Sequence, residues 1–495
     1  MKKIYSIFAI IFAAVMLYSC SNDWLNTEPA SGINADGAIG NYIDLLNART
    51  GMYDGLQGTS NKSTYYGARM IYYGDVRGDD MQAQKAGNRS SALYQMDYNA
   101  DNAPNMWNVP YEVLRRSNRV IEAIDEDKIS DGTQADINKI YAEALVVRAL
   151  VHFDLVRVYG QTYTADNGAS LGVPVMTKPL AATELPTRNT VKEVYDQVIA
   201  DLTTAIGNNA LPTTKTPGYI NAWTAKSLLS RVYLYMGNNT SALTLAEDVI
   251  SNSPYELWAN EEYVEAWSKG APAHSNEMIF EIINASTDDW TDREGIAYLY
   301  NEKGYADAIA TKSFIDLIMT DPDDARIQVL VPATTTDFIA EYGEDPVFVN
   351  KYPADATGEM RLNNVPLIRL SEVYLIAAEA AVKLENDDKA AEYLSAIAQR
   401  ANPDAEELVG VTLERVLEER SKELIGEGHR FFDAMRNNLT ITRYTDEALD
   451  MGYHYPLAQA ASRSFDRTYY RTILPIPINE VNANPAIAEQ QNPEY

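Results

Sequence analysis

The side chains best able to do chemistry are few. Four histidines, His152, His274, His429 and His454, are spread along the chain, and none stands at the HxxxH or HExxH spacing that aims two rings from one helix face at a metal. A metal centre is therefore not expected, nor is a cofactor: the chain has no nucleophile elbow set between strand and helix, no GxxxxGKS phosphate loop and no GxGxxG turn. Adjacent carboxylates occur at Asp79/Asp80, Asp288/Asp289 and Asp323/Asp324, but in a chain with 70 acidic residues adjacency does not make a general acid and a nucleophile. Solvated charge is the expectation for all three pairs. Asp321-Pro322-Asp323-Asp324 lacks the alternation of an EF-hand loop and reads as a helix cap.

Aromatic rings are the stronger signal. The chain carries 33 Tyr and 6 Trp beside 10 Phe, so most of its rings have a polar edge suited to a wet boundary. A sugar offers an apolar C–H face and a polar rim, and its binding calls for flat rings flanked by Asp, Asn and Arg. Two long irregular stretches, about 58–105 and 256–351, supply that mixture, and loops of such length in a compact protein are commonly functional. The candidate contacts are Tyr65, Tyr66 and Tyr94 in the first stretch, and Trp290, Tyr298 and Tyr300 in the second, with Asp289 and Arg293 beside Trp290. Trp290 leads, because Asp288, Asp289, Asp292 and Arg293 surround it. Tyr72, Tyr73 and Trp267 have apolar neighbours and are read as core.

Helices must carry these loops. Apolar residues recur at three- and four-residue steps in 142–159, 191–206, 222–236, 370–383 and 413–425, with further candidates at 43–56, 106–124, 242–250, 390–401 and 431–435. Strand signals are sparse: 278–283 suggests a short edge strand, and 168–180, with Pro174 and Pro179, an extended loop. Two segments fit the tetratricopeptide spacing, in which small residues let paired helices approach. One has Leu229, Ser230, Tyr233, Ala242, Ala246, Val249 and Pro254 at the required offsets. The other has Tyr374, Ala377, Ala378, Ala381, Ala390, Leu394 and Ile397. With two weaker units, the pairs span about 43–124, 138–207, 220–254 and 370–403. The class is mainly α with minor β.

The remaining composition bounds the compartment and the partners. At 46% hydrophobic over 495 residues the chain can bury a large core, and a net charge of −29 disfavours nucleic acid. Lys2 and Lys3 precede an apolar run ending at Leu17, then Tyr18, Ser19 and the chain's one cysteine, Cys20. This reads as a signal peptide over 1–19 with a lipid-accepting cysteine at Cys20, cleavage taking the net charge to −31. Residues 20–40 read as a tether and 41–495 as a single domain.

The sequence resembles the SusD/RagB family, lipoproteins of Bacteroidetes nutrient-uptake systems. The likeness rests on Cys20-Ser21-Asn22-Asp23-Trp24-Leu25 with Thr27-Glu28-Pro29, on YAEALVVRALVHFDLVRVYG from Tyr141 and on PTRNTVKEVYDQVIADL from Pro186. It continues with INAWTAKSLLSRVYLYMG from Ile220, LIRLSEVYLIAAEA from Leu367, ERSKELIGEGHRFFDAMR from Glu419 and LPIPINEVNANPAIAEQQNPEY from Leu474. The resemblance implies a SusD-like right-handed superhelix of tetratricopeptide-like helix pairs with a long-loop ligand-binding face. It also implies an outer-membrane anchor, docking over a SusC-like TonB-dependent β-barrel transporter, and binding of glycan without catalysis. In the RagB branch the ligand is peptide, which is the leading alternative. A surface glycosidase and a tetratricopeptide scaffold are the readings from other classes. Arg148, Arg157, Arg231, Arg369, Glu419, Arg420 and Arg430 fall in the shared blocks and are expected to brace the interior, while Trp107 and Trp223 are expected to pack.

Overall fold

The computed structural model describes residues 37–58, 63–84, 87–181, 183–285, 294–334, 346–355, 357–443 and 460–495. Cys20 and the leader, Asp289, Trp290 and Arg293, and His454 lie outside these residues. Eleven helices carry the argument: α1 (Tyr42–Gln57), α2 (Asn108–Asp125), α3 (Gln134–Tyr159), α4 (Val191–Gly207), α5 (Ala222–Met236), α6 (Asn239–Asn252), α7 (Lys312–Ile318), α8 (Leu370–Lys383), α9 (Asp387–Ala401), α10 (Leu413–Leu424) and α11 (Arg430–Arg436). The chain is mainly α, as expected.

The helix starts are locally encoded. Thr190 and Glu193 form a reciprocal capping box at α4, and Asn221 caps α5 by accepting from the Trp223 and Thr224 amides. Gly237 ends α5 in the left-handed conformation. Stacking then proceeds almost in chain order: α1 packs on α2, α2 on α3, α3 on α4, α4 on α5, α5 on α6, α6 on α8 and α8 on α9. Small residues allow the close approaches, with Ala377, Ala378, Ala381 and Ala390 fully buried and Ser230 Oγ donating to Ala242 O at 2.7 Å. Each unit thus covers its neighbour's apolar face in the manner of a solenoid.

Strands are short and pair antiparallel. Among the described residues they form four two-stranded sheets: β1 (Met81–Ala83) with β3 (Ala308–Ala310), β2 (Met278–Ile282) with β6 (Val365–Arg369), β4 (Leu330–Pro332) with β5 (Val347–Val349), and β7 (Ile441–Thr442) with β8 (Ser464–Phe465). The expected edge strand at 278–283 is β2, but all five of its residues are buried, because it is sandwiched against the stack. The last twenty-two residues return to a much earlier part of the chain. Leu474 N donates to Val158 O at 2.9 Å, Asn492 Nδ2 to Tyr159 O at 2.9 Å, and Arg188 reaches both Tyr159 O and Gln490 O.

The braces are ionic. Arg148 grips Asp201 with two bonds of 2.7 and 2.8 Å, and Arg231 grips Glu372 at 2.5 and 2.6 Å. Arg420 meets Asp433 at 2.8 Å, Arg157 pairs with Asp154, and Glu419 meets Arg326 at 2.6 Å. Arg369 is shared by Glu277, Glu423 and Glu427. Burial opposes ionisation of Glu372, but Arg231 holds it below its ordinary range. Trp107 and Trp223 are packed, at 3% and 6% exposure. No helix among the described residues is long and apolar enough to cross a membrane.

Candidate binding site

The structure moves four of the expected ligand contacts into the core. Tyr65 is fully buried, its hydroxyl donating to Asp154 Oδ2 at 2.6 Å, and Tyr66 packs beside it with ring centroids 4.7 Å apart. The Tyr94 ring lies under the Arg443 guanidinium at 4.6 Å. Tyr300 donates to the buried Asp75 at 2.8 Å, and burial pushes that carboxyl up to about 8. These rings are structural because each polar edge finds a partner inside, so a wet boundary is not needed to satisfy it. Tyr298 is half-buried and stands 6.0 Å from Tyr305, whose ring is 41% exposed and carries the Arg89 guanidinium at 3.7 Å. Arg89 is tied in turn to Glu294 at 2.8 Å.

The expectation of solvated charge also fails at two acidic pairs. Asp79 is clamped by Arg430 at 2.5 and 2.9 Å, Asp80 is buried, and Asp324 is buried against Arg326. The capping reading of that last segment holds, Asp324 accepting from the Arg326 amide at 2.9 Å. His152 is held between Arg148 O and the Met176 amide, and burial lowers it to about 3. Among the described residues no group of three or more His, Cys, Asp or Glu could hold a metal. Gly168-Ala169-Ser170-Leu171-Gly172 has the GxSxG spacing, but it lies in the loop between α3 and α4, where the Val191 amide donates to Ser170 O, not at a strand-to-helix turn.

An exposed aromatic groove does exist, next to the segment that carries Trp290. Its volume is about 490 Å³, and Thr50, Tyr53, Asp54 and Gln57 from the last turns of α1 face Gly218, Tyr219, Ile282, Ile283 and Ala285 across it. Tyr53 and Tyr219 meet edge to face at 5.2 Å and 81°. Tyr219 is 43% exposed and Ile283 44%. Gly218 sets the turn, with φ +74°, and a side-chain carbon there would fall 2.6 Å from Ile283. Polar contacts fix the rings. The Ile220 amide donates to the Tyr53 hydroxyl at 3.0 Å, and the Arg49 guanidinium lies 4.1 Å over Tyr219 while Arg49 Nη2 donates to the buried Glu143 at 2.8 Å.

Gln57 ties the groove to the Tyr298 patch. Its side chain donates to Asn284 Oδ1, its carbonyl accepts from the Gly67 amide at 2.9 Å, and Gly67 O accepts from the Ile296 amide at 2.9 Å. These bonds join the groove lining to the segment that carries Tyr298. Tyr53 and Tyr219 were not singled out by sequence, since Tyr53 lies on a helix whose apolar periodicity reads as core. The signal available for Tyr219 was the Pro217-Gly218 turn before it, which lifts the next side chain off the surface.

Sequence and structure comparisons place the chain among known proteins. A family profile described as "SusD family" matches residues 192–495, and one described as "Starch-binding associating with outer membrane" matches residues 23–234. A crystal structure of a SusD superfamily protein from Bacteroides thetaiotaomicron VPI-5482 is 36% identical, with 92% of this chain and 100% of that one covered at a TM-score of 0.84. A second, from Bacteroides vulgatus ATCC 8482, is 37% identical over 92% and 99% at 0.83. SusD-like protein P25 of Formosa agariphila is 22% identical, with 98% of both chains covered. The chain belongs to the SusD family.

Proposed function

We propose that this chain is a non-catalytic binding protein that takes up an oligosaccharide in the Tyr53–Tyr219 groove and hands it to a SusC-like TonB-dependent β-barrel in the outer membrane. The observation that carries the reading is the edge-to-face pair of half-buried Tyr53 and exposed Tyr219, with Asp54 beside it in the groove lining. An apolar sugar face suits the rings, and its hydroxyls suit the Asp54 carboxylate beside them. The family description of starch binding and outer-membrane association supports both ligand class and location. Lipidation at Cys20 would supply the attachment, since two or more acyl chains hold a soluble body firmly at a bilayer.

The test is affinity electrophoresis of the mature protein through gels containing neutral polysaccharides, followed by calorimetry on oligosaccharides of whichever one retards it. One ring contact contributes about 0.5–1.5 kcal/mol, so Tyr219→Ala is expected to weaken binding about three- to tenfold. Trp290→Ala is expected to abolish the retardation. Free mobility across the panel, with basic oligopeptides bound instead, overturns the carbohydrate reading. Release of reducing ends by the wild-type protein overturns the non-catalytic one.

A further inference from the structure

A second cleft shares no residue with the tyrosine groove. Its volume is about 630 Å³, and it opens between α7, α10 and the first residues of α11, where the chain enters β1. Phe314, Leu317 and Leu417 give it an apolar wall. Asp79, Asp80, Glu414 and Glu418 give it four carboxylates, against Arg430 as the one cation in the lining. Arg430 is already matched by its two bonds to Asp79, and it stays 3.7 Å from Asp80. Asp80 is 6% exposed, and its Oδ2 has no hydrogen-bond partner. A buried acceptor without a donor is unfavourable, and the other contacts of this carboxyl are a hydrogen bond from Ser421 and the Arg430 ion pair at 3.7 Å.

Charge and shape select the ligand. An anion is repelled by the acidic lining, and a strongly hydrated metal ion finds no group of three ligating side chains among the described residues. A donor that is cationic at one end and apolar behind it meets every feature at once. Burial and Asp79 push the Asp80 carboxyl up, against the pull of Arg430, to about 7, so an arriving cation would also hold it ionised. We infer that this cleft binds an organic ammonium ion on an apolar stem, the N–H donating to Asp80 and the stem lying along Leu317 and Leu417. The ammonium comes either from a free alkylamine or from a lysine side chain of a polypeptide.

The probes are hexylammonium chloride and hexanol, titrated calorimetrically into the mature protein, with acetyl-Leu-Lys-Leu-amide as the polypeptide arm. Hexylammonium is expected to bind about tenfold or more tightly than hexanol, and Asp80→Asn to remove about that factor while leaving oligosaccharide binding unchanged. The rim variant Glu414→Gln/Glu418→Gln touches no packed contact and is expected to weaken hexylammonium about threefold, which keeps the test decisive if Asp80→Asn does not fold. A peptide that binds more tightly than hexylammonium identifies lysine as the source, and one that binds more weakly identifies the free amine. Equal binding of hexylammonium and hexanol, no binding of either, or an affinity unmoved by the variants overturns the assignment.

Discussion

Replacing Arg369 by methionine tests whether buried charge, and not apolar packing alone, locks β6 to α10. Arg369 is 1% exposed and meets Glu277 at 2.5 Å, Glu423 at 3.1 Å and Glu427 at 2.8 Å. Around it, Arg326, Lys351 and Arg400 join as cations, with Arg415 at the edge, and Asp324 and Glu419 join as anions. The knot is balanced, so methionine leaves one carboxylate charge without a counterion. Breaking a buried pair costs about 3–5 kcal/mol. The low end applies here, because Arg400 remains 2.6 Å from Glu423 and Lys351 2.7 Å from Glu427. Unfolding entropy of about 2.1 cal/mol/K per residue over the roughly 400 described residues turns about 3 kcal/mol into a Tm lowered by roughly 4 °C. Burial opposes ionisation of Glu423 and Glu427, yet the neighbouring cations hold both below the ordinary carboxylate range. Their contribution is present above the unfolded value near about 4.3 and is lost as pH falls through the depressed folded values. The wild-type advantage should therefore be full at pH 7 and shrink below about pH 4. Adding Glu277→Gln to the methionine variant restores the balance and should return about half of the loss. Calorimetric scans from pH 7 to pH 3 decide it: equal Tm values at pH 7, or an advantage that widens on acidification, refutes the reasoning.

Three further perturbations test other parts of the structure. Gly74→Ala should cost about 3 kcal/mol or more, because the added carbon would stand 1.9 Å from Gly428 O, a backbone atom; soluble yield and Tm measure it, and a near-wild-type Tm contradicts it. Thr190→Ala removes the α4 capping box and should cost about 1 kcal/mol in urea unfolding at unchanged m. Burial lowers His152 to about 3 and His429 to about 4, so the unfolded chain takes up protons first as pH falls below about 6.5. The buried carboxyls Asp75 and Asp80, which are pushed up, act in the opposite sense, so the His152 share is isolated as a difference: from pH 7 to pH 5 the urea midpoint of the wild type should fall relative to that of His152→Leu, and a constant difference contradicts it.

The helices were legible because their information is local. The apolar run of α8 and the cap and stop residues of α5 lie within the segments they define, so 370–383 and 222–236 read from sequence coincide with the observed helices. The candidate groove was legible only in part: Ile282, Ile283 and Ala285 fall in the long stretch 256–351, whereas Tyr53 and Tyr219 fall outside both stretches. Tyr65 and Tyr300 look like exposed loop rings until Asp154 and Asp75, 89 and 225 residues away, come to meet their hydroxyls. Asp80 reads as solvated until Arg430, far along the chain, folds over its neighbour. Tyr53 shows the converse, since a helical period cannot say whether the partner of a ring is protein or solvent.

The closing stretch of the chain sets an order of events. Leu474, Gln490 and Asn492 hold the final turn of α3 and the Arg188 loop, elements synthesised some three hundred residues earlier. Until that stretch docks, Tyr159 O and the Arg188 guanidinium lack these mates. A truncation that removes residues 474–495 should then yield a nascent-like chain, cut readily by protease near residues 160–188, in which the early helices have formed without being fastened.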